Sequence, residues 1–436
     1  MPKPARILAA MFQGGGNVPL LMPILTRLIE RGNIVRIMAG PGVRRSRLPL
    51  SAAFLSQIAA SGATLVPFRQ PRPSPFDAAD EPLGILGRWV PPGFRAVQGE
   101  AQTALWAPAW ADNVAEELRA EPADLVVADF VLLGALAAAE ASNTKTVALM
   151  HSVAPWPIVG IPPYGPGWMP GTSPFHRVRN AVGYAVIEHL HRRNALPYLN
   201  QARATVGLPP LRSPFRQYDN AARLLMLVSA AFDHASPLLP SNLRHVGTPV
   251  DDGPVAEWQP AHADDGRPLV LVSLSTLNQG QAPLLRRILQ AVAAMEINVL
   301  VTLGPALDPG DFPTAPHVRL ERFIPHSAVM PHVAAMVTQS GLGSVAKALA
   351  HGVPLLCIPM VGDQHENAAR VVARGAGLRL RGEARPGEIA ATLRRLLMEP
   401  RFRQGASNLA AIFERQPDAA TKASQEIEAV INGNAN

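Results

Sequence analysis

The sequence contains almost no cysteine. Cys357 is the only one among its 436 residues, and the apolar run around it favours a buried strand. A single thiol cannot form an intrachain disulfide or supply a cysteine metal cluster. We therefore expect a cytoplasmic protein that folds without disulfides.

Long apolar runs are also missing, and none approaches the roughly 20 residues that a membrane-spanning helix requires. The first residues combine a basic start with a short apolar run, but their glycine-rich continuation favours a strand and a turn over a signal peptide. Apolar residues still make up 48% of the sequence and charged residues 17%. This composition is typical of a folded globular protein, and we expect no membrane span.

Acidic residues are fewer than basic ones, 33 against 40, which gives a net charge of +7. The excess comes almost wholly from scattered arginines, such as Arg394 and Arg395, without interleaved aromatics or a nucleic-acid-binding motif. Solvated helix faces explain this pattern better than nucleic-acid binding does. A mild attraction for an anionic nucleotide would be a by-product.

Strand-like and helix-like segments alternate in two series, which predicts an α/β fold. In the first series, residues 176–206 have a long helical pattern and residues 223–231 predict a strand. A chain of 436 residues exceeds what one hydrophobic core usually supports. We therefore predict two Rossmann-like domains, residues 1–244 and 268–416. Residues 245–267 are poor in aliphatics and rich in glycine, proline and aspartate, as domain linkers are. Residues 417–436 would form a C-terminal amphipathic helix.

The second series contains a glycine-punctuated turn between a short apolar strand and a helix. Gly341 and Gly343 lie in the turn, and the helix is predicted to open near Ser344. Glycine lets a backbone approach a ligand closely, and the first turn of a helix offers unpaired N–H groups and positive dipole charge. This turn is therefore a candidate anion site.

A second apolar strand follows and ends at a polar tip, residues 362–367, with the sequence GDQHEN. The two strands and the helix between them form a right-handed βαβ unit, so both strand-end loops emerge at one edge of the sheet. Clustered carboxylates and carboxamides suit a polyhydroxylated ligand. An ordinary loop with an aspartate N-cap is the alternative interpretation of the tip.

These segments resemble the donor-sugar signature of the family 1 glycosyltransferases, in particular the bacterial branch that glycosylates antibiotics and other natural products. The similarity is carried by FIPH at residues 323–326, QSGLGS at 339–344, GVP at 352–354, and Asp363 with Gln364. The resemblance implies a GT-B fold, in which two Rossmann-like domains face an interdomain cleft and a C-terminal helix crosses back onto the N-terminal domain. It also implies inverting transfer from a UDP- or TDP-sugar donor to a small apolar acceptor, with no cofactor beyond the nucleotide sugar. We expect no metal, because no Asp-x-Asp motif or histidine cluster is placed to bind one near the diphosphate.

The resemblance also assigns roles at the donor site. Phe323 would stack on the nucleobase, and Ser344 with the neighbouring backbone would hold the diphosphate. Asp363 and Gln364 would read the sugar hydroxyls. The full set of predicted donor-site residues is Ser275, Thr276, Phe323, Ile324, Gln339, Ser340, Gly341, Gly343, Ser344, Lys347, Asp363 and Gln364.

Two positions depart from the family pattern. Gln339 stands where the family usually has a histidine, and it can donate a hydrogen bond but carries no charge. Lys347 stands where many members have a glutamate that accepts from the ribose, which a lysine cannot do. We predict that Lys347 points at the diphosphate instead. A solvated helix lysine is the alternative.

The first loop, GGGNVP at residues 14–19, lacks the glycine spacing of a dinucleotide site. It resembles the family loop that carries the acceptor-activating histidine. Here that position is Gly16 or Asn17, and we prefer Asn17 as an acceptor contact. Neither side chain takes a proton, although forming a glycosidic bond requires a base.

Asp129 and His151 end two consecutive buried-type strands, so both would lie at the carboxyl edge of the first sheet. The resemblance places at Asp129 the aspartate that orients the catalytic histidine. With no base on the first loop, we predict that His151 is the base and Asp129 its partner. The alternative is that His151 caps backbone groups and Asp129 caps the following helix.

Aromatic residues make up only 5% of the sequence, yet they cluster in two stretches predicted to be irregular. One runs from Val66 to Asp112. The other, from Pro155 to Phe175, is too rich in proline and glycine for a helix or a central strand. We predict an apolar acceptor pocket, with packing on the domain surface or an interdomain linker as alternatives. The predicted acceptor-pocket aromatics are Trp89, Trp106, Trp156, Tyr164 and Trp168.

Two other functions stay open. A catalytically silent relative that binds a nucleotide sugar or the acceptor would also lack the loop histidine, the turn histidine and the ribose glutamate. A GT-B epimerase acting on the nucleotide sugar alone is less compatible with the aromatic stretches. The oligomeric state, a homodimer included, is open as well.

Overall fold

The computed structural model describes residues 4–14, 16–41, 50–69, 94, 103–250, 258, 265–274, 279–305 and 307–433. These residues form two parallel β-sheets with helices between successive strands. The predicted α/β architecture of two Rossmann-like units is therefore confirmed. None of the helices described is long and apolar enough to cross a bilayer.

The first sheet has seven parallel strands in the order β3-β2-β1-β4-β5-β6-β7. The strands are β1 Arg6–Phe12, β2 Ile34–Gly40, β3 Thr64–Val66, β4 Leu125–Asp129, β5 Lys145–Met150, β6 Arg223–Met226 and β7 Leu243–His245. The helices are α1 Val18–Glu30, α2 Ala52–Ser61, α3 Ala107–Ala120, α4 Leu133–Ala141, α5 Pro174–Asn194 and α6 Leu196–Thr205. The central strands are apolar at nearly every position because both faces of a parallel sheet are covered. Ile7 and Leu8, for example, enter different core clusters.

The second sheet has six parallel strands in the order β10-β9-β8-β11-β12-β13. The strands are β8 Leu269–Ser273, β9 Asn298–Thr302, β10 Val318–Glu321, β11 Val333–Thr338, β12 Leu355–Cys357 and β13 Gly377–Arg379. The helices are α7 Ala282–Val292, α8 His326–Val329, α9 Leu342–Ala350, α10 Gln364–Ala373, α11 Pro386–Met398 and α12 Pro400–Glu414.

Each sheet reverses its strand order at one point, between β1 and β4 in the first and between β8 and β11 in the second. Ligands of such sheets bind in the crevice that forms there, outside the carboxyl ends of the strands. Asp129 ends β4 at the first crevice, and residues 339–341 follow β11 at the second. The topology therefore places both predicted sites at the expected edges.

The final helix, α13 (Ala419–Ile431), packs on the first sheet's unit. Glu428 accepts hydrogen bonds from Arg31, at 2.6 Å to Nη2, and from Asn33, at 3.1 Å. Near the carboxyl end of the helix, Lys145 Nζ donates to the carbonyl of Val430 at 2.8 Å. The C-terminal helix thus crosses back onto the N-terminal unit, as the GT-B resemblance implies.

Buried apolar side chains connect the two units. One contiguous cluster contains Ile24 and Leu225 from the first unit and Leu271 and Val345 from the second. At its edge, a Cβ atom on Gly343 would lie 3.9 Å from Cδ2 of Leu20. The first helix of the N-terminal unit therefore lies against the helix that opens the predicted anion site.

The structure corrects two local predictions in the N-terminal unit. The first aromatic stretch is not irregular throughout, because residues 107–120 form α3, with Pro108 in the first turn, where a backbone N–H is dispensable. The helical pattern predicted over residues 176–206 divides into α5 and α6 at Ala195. Pro197 lacks the N–H needed to continue α5, and its ring disfavours an unbroken helix.

A further correction concerns the strand predicted over residues 223–231, which ends at Met226. A turn follows, in which the carbonyl of Ser229 accepts from the N–H groups of Phe232 and Asp233, both at 2.9 Å. Residues 251–257 and 259–264 of the predicted linker lie outside the described residues. The domain bounds therefore stay a prediction.

Candidate active site

The predicted anion-binding turn joins β11 to α9 through Gln339, Ser340 and Gly341. Ser340 has a φ of +73°, in the left-handed region that L-residues avoid, and its N–H donates to Thr338 Oγ1 at 3.2 Å. Gly341 is the N-cap of α9 and offers no side chain to the first-turn N–H groups. Those N–H groups and the helix dipole remain available to an anion. Because α9 begins at Leu342, two residues earlier than predicted, Ser344 lies within its first turn.

A buried carboxamide joins this turn to the polar tip. Nδ2 of Asn367 donates to the backbone carbonyl of Ser340 at 2.9 Å and to Oδ2 of Asp363 at 2.9 Å. Asn367 is fully buried, so water does not compete for these bonds. Asp363 is at the N-cap position of α10, but its side chain makes no capping bond. The two predicted donor segments therefore lie side by side and are held together by one residue.

Gln364 is occupied within its own loop. Its Oε1 accepts from the N–H groups of Met360 at 2.8 Å and Val361 at 3.0 Å. Its Nε2 donates to Oε1 of Gln279 at 2.9 Å, and the residue is buried. In this arrangement Gln364 shapes the tip. Its contact with sugar hydroxyls stays a prediction.

The other predicted donor residues differ in exposure. Phe323 is 76% exposed, so its ring is open to stacking, whereas Ile324 packs partly against the core. Gln339 is buried, and its Oε1 has no hydrogen-bond partner among the described residues. Lys347 is half-buried in α9. Ser275 and Thr276 lie outside the described residues.

Three polar side chains meet at the first crevice. Nε2 of His151 lies 3.2 Å from Oδ1 of Asp129, and Nδ2 of Asn17 donates to Oδ2 of the same carboxylate at 2.9 Å. Asn17 also donates to the carbonyl of Phe12 at 2.9 Å and accepts from the N–H of Gly14 at 3.0 Å. Asp129 is fully buried and does not cap α4, whose N-cap is Leu132. Asn17 therefore fixes Asp129, and Asp129 fixes one ring nitrogen of His151.

The surroundings of His151 change its basicity. Burial by itself would lower the pKa, but the charge and hydrogen bond of Asp129 outweigh this effect, with further contributions from the charge of Asp363 and from the residue's own carbonyl. The pKa of His151 is therefore raised above its ordinary value of 6.5. The ring of Phe130 packs edge-on against the imidazole, with centroids 5.2 Å apart.

The effect of Asp363 on His151 connects the two crevices. Asp363 belongs to the second sheet's unit and His151 to the first, yet the carboxylate is close enough to raise the histidine's pKa. The polar tip, which contains Asp363, therefore contributes to the electrostatic surroundings of His151.

The predicted acceptor aromatics that the structure describes belong to the N-terminal core or pack against it. Trp156 packs on Tyr218, with centroids 4.8 Å apart, and the Tyr218 hydroxyl donates to the carbonyl of Phe130 at 3.0 Å. Trp168 packs edge-on against Phe94, with centroids 5.9 Å apart. Trp156 is thereby tied to the strand end that carries Asp129.

The remaining acceptor predictions are less accessible. Tyr164 is buried, and Trp106 is 2% exposed within the N-terminal core. Trp89 lies outside the described residues. Direct contact of any of these aromatics with an acceptor stays a prediction.

Sequence reasoning missed a buried charge network on α10. Oε1 of Glu366 accepts from the N–H groups of Gly165 at 3.0 Å and Gly167 at 2.8 Å, in the proline- and glycine-rich stretch. Arg370 donates to Oε2 of Glu366 at 3.2 Å and to Oδ1 of Asp233 at 2.8 Å. The spacing of Glu366 and Arg370, four residues apart on one helix, is the signal that could have revealed the pair. No local pattern pointed to the partners in the other unit.

Comparisons with known proteins agree with this geometry. Residues 286–429 match the family described as "Erythromycin biosynthesis protein CIII-like, C-terminal domain". The 4'-demethylrebeccamycin synthase of Lentzea aerocolonigenes is 32% identical over 98% of this chain and 100% of its own length. The demethyllactenocin mycarosyltransferase of Streptomyces fradiae is 30% identical over 41% of each chain.

Solved structures share the fold. The calicheamicin glycosyltransferase CalG4 superposes with a TM-score of 0.72 at 22% identity, covering 99% of both chains. At this identity the likeness establishes the two-unit architecture alone. The full-length similarity to the rebeccamycin relative establishes the family. The chain belongs to the family 1 glycosyltransferases, in the bacterial branch that glycosylates antibiotics and other natural products.

Proposed function

We propose that this glycosyltransferase moves a sugar from a UDP or TDP donor to a small apolar natural-product acceptor, with inversion at the anomeric carbon and His151 as the base. The observation that carries the proposal is the His151–Asp129 pair, with Nε2 of His151 3.2 Å from Oδ1 of Asp129. The charge of Asp363, in the polar tip, also raises the pKa of His151. The names of the rebeccamycin and mycarosyl relatives support a natural-product acceptor. The proposed transfer uses no metal ion and no cofactor other than the nucleotide sugar.

The proton follows a defined route in this proposal. When Nε2 of His151 carries hydrogen and donates to Asp129, the lone pair lies on Nδ1. The acceptor's O–H or N–H proton passes to that nitrogen as its oxygen or nitrogen attacks the anomeric carbon. The bond from that carbon to the diphosphate breaks, and the electron pair leaves with the diphosphate. Asp129 stabilises the imidazolium that forms.

The leaving diphosphate gains negative charge as the bond breaks. The first-turn N–H groups of α9 and the hydroxyl of Ser344, in that same turn, would stabilise it. Lys347, one turn further along α9, would add positive charge in place of the histidine that Gln339 replaces. Asn17 takes no proton and keeps Asp129 aimed at His151.

The test is sugar transfer with a panel of UDP- and TDP-sugars and aromatic acceptors, followed by mass detection of glycoside and released nucleotide. We expect His151→Ala to lose turnover by about 100-fold or more, the usual contribution of a general base. His189→Ala, at an exposed histidine of α5, should match the wild type. Near-normal turnover by a correctly folded His151→Ala protein overturns the role of His151. Donor binding without any release would instead favour a silent binding protein.

A further inference from the structure

The stretch between Pro155 and Phe175 is hydrogen-bonded to α10, the helix that begins in the polar tip. Glu366 accepts the N–H groups of Gly165 and Gly167 with a single oxygen, at 3.0 and 2.8 Å. These two glycines lie between Tyr164 and Trp168, the predicted acceptor aromatics of this stretch. The contact therefore joins an acceptor segment of one unit to a donor helix of the other.

The backbone of this stretch lies directly against the backbone of α10. Gly167 has a φ of +60°, and a Cβ atom there would lie 2.3 Å from the carbonyl oxygen of His365. The carbonyl of Gly167 accepts from Arg379 Nη1 at 2.6 Å. No side chain other than hydrogen fits at this position while the stretch stays in place.

The next two turns of α10 are also attached to the N-terminal unit. Arg370 donates to Asp233 at 2.8 Å, and Asp233 in turn lies 2.9 Å from Nε2 of His245. Arg374, one turn further on, donates to the carbonyl of Phe232 at 3.3 Å. The helix is thus fixed to the N-terminal unit along about two turns, from Glu366 to Arg374.

The contacts of Glu366 and Arg370 with the N-terminal unit lie next to the polar tip, residues 362–367. Asp363 is the N-cap of α10, and Asn367, which binds it, directly follows Glu366. A helix moves as a rigid element, so displacement at Glu366 shifts both groups. Buried ion pairs are a weak source of stability but can fix geometry, and Glu366 and Arg370 are each 1% exposed.

We propose that Glu366 is a positioning residue that couples the docking of residues 155–173 to the placement of Asp363. This inference rests on the proposed function. The coupling would let Asp363 bind the donor sugar in the productive position only when residues 155–173 are docked. An undocked segment would leave the tip displaced and the anomeric carbon open to water. The expected consequence is loss of sugar to hydrolysis.

Two substitutions of different chemistry test the coupling. Glu366→Ala removes the acceptor of both N–H groups, and Gly167→Ala keeps every charge but blocks the docked position. Both should lower the ratio of transfer to donor hydrolysis about 10- to 100-fold, the range for loss of hydrogen bonds to a charged group. Glu366→Gln retains an oxygen for the two N–H groups and should recover most of the ratio.

Matched controls separate positioning from simple loss of stability. Gly207→Ala introduces a side chain at a φ of +78° with nothing within 4 Å, so it carries the same backbone strain without the clash. Glu388→Ala removes an exposed carboxylate of α11. Both should keep the wild-type ratio. A purely structural role of Glu366 would lower transfer and hydrolysis together and leave their ratio unchanged.

Hydrogen exchange tests the same coupling without turnover. In Gly167→Ala we expect faster exchange in residues 155–173 and also in residues 360–367, across the unit boundary. If the wild type transfers no sugar, the proposed function fails, and the exchange result still decides the coupling. Unchanged exchange at residues 360–367 together with an unchanged transfer ratio overturns it.

Discussion

The carboxamide nitrogen of Asn17 lies 2.9 Å from Oδ2 of Asp129, while His151 occupies the other oxygen of that carboxylate. In the family resemblance, the first loop carries the base and the strand-end aspartate orients it. Here the loop residue has the aspartate as its partner but cannot take a proton. In the proposed mechanism the base is His151, at the end of the neighbouring strand.

Asn17→Ala should weaken both catalysis and stability. The substitution leaves the buried Asp129 oxygen and the Phe12 carbonyl without this donor, at a cost of about 1–3 kcal/mol. We expect a lower midpoint of chemical denaturation and reduced turnover, measured on the same preparation. Loss of neither property would show that this carboxylate does not depend on Asn17.

The pH dependence of kcat/KM should reflect His151. A base must be unprotonated, so activity rises with pH, and the apparent pKa lies above 6.5 because Asp129 and Asp363 raise it. Asp129→Asn should shift this pKa downward. For stability the sign is opposite: a raised folded-state pKa contributes most below about 6.5 and is lost as pH rises through the folded-state pKa. A rate profile that is flat from pH 5 to 9 would contradict the assignment.

Asn367→Ala should weaken donor binding. It frees Asp363 from the Ser340 turn and leaves that buried carbonyl without its donor, so the affinity for the nucleotide sugar should fall roughly tenfold, equivalent to about 1.4 kcal/mol. Calorimetric titration measures the affinity for the nucleotide sugar and for the nucleotide diphosphate alone. The affinity for the nucleotide sugar should fall more. Asn408→Ala, at an exposed asparagine of α12, is the matched control.

Arg370→Met should destabilise the fold strongly. It leaves Asp233 and Glu366 buried without their shared cation, and removal of one partner from a buried pair costs about 3–5 kcal/mol. Adding Asp233→Asn should recover part of the loss in urea denaturation. Additive losses would show that the two side chains are not coupled.

Unfolding experiments at acid pH test the Arg370–Asp233 ion pair in a second way. Burial would raise the pKa of Asp233, but Arg370 and His245 hold it well below its usual range. A depressed pKa contributes stability that is fully present above about pH 4 and is lost as pH falls through the folded-state value. The double variant should therefore lose less stability between pH 5 and 3 than the wild type does.

The local pattern of apolar and polar residues was sufficient to predict the architecture and the start of α9 after the glycine turn. Apolar strands alternating with amphipathic helices predicted the two sheets, and the glycine turn before Lys347 predicted a helix N-terminus at a strand end. Boundaries shifted by a few residues where proline decided them, as at Pro108 and Pro197. The rule that parallel strands end at one edge placed Asp129 beside His151, and the two are in contact.

Neighbours along the chain therefore encode three features of this protein: the fold class, the glycine turn before α9 and the polar tip. The side chains that hold these features in place come together through contacts between distant parts of the chain. Glu366 meets Gly165 across 201 positions of sequence, and Arg370 meets Asp233 across 137. Such partners are selected by the docking of two units, and their energies depend on burial that no local pattern encodes.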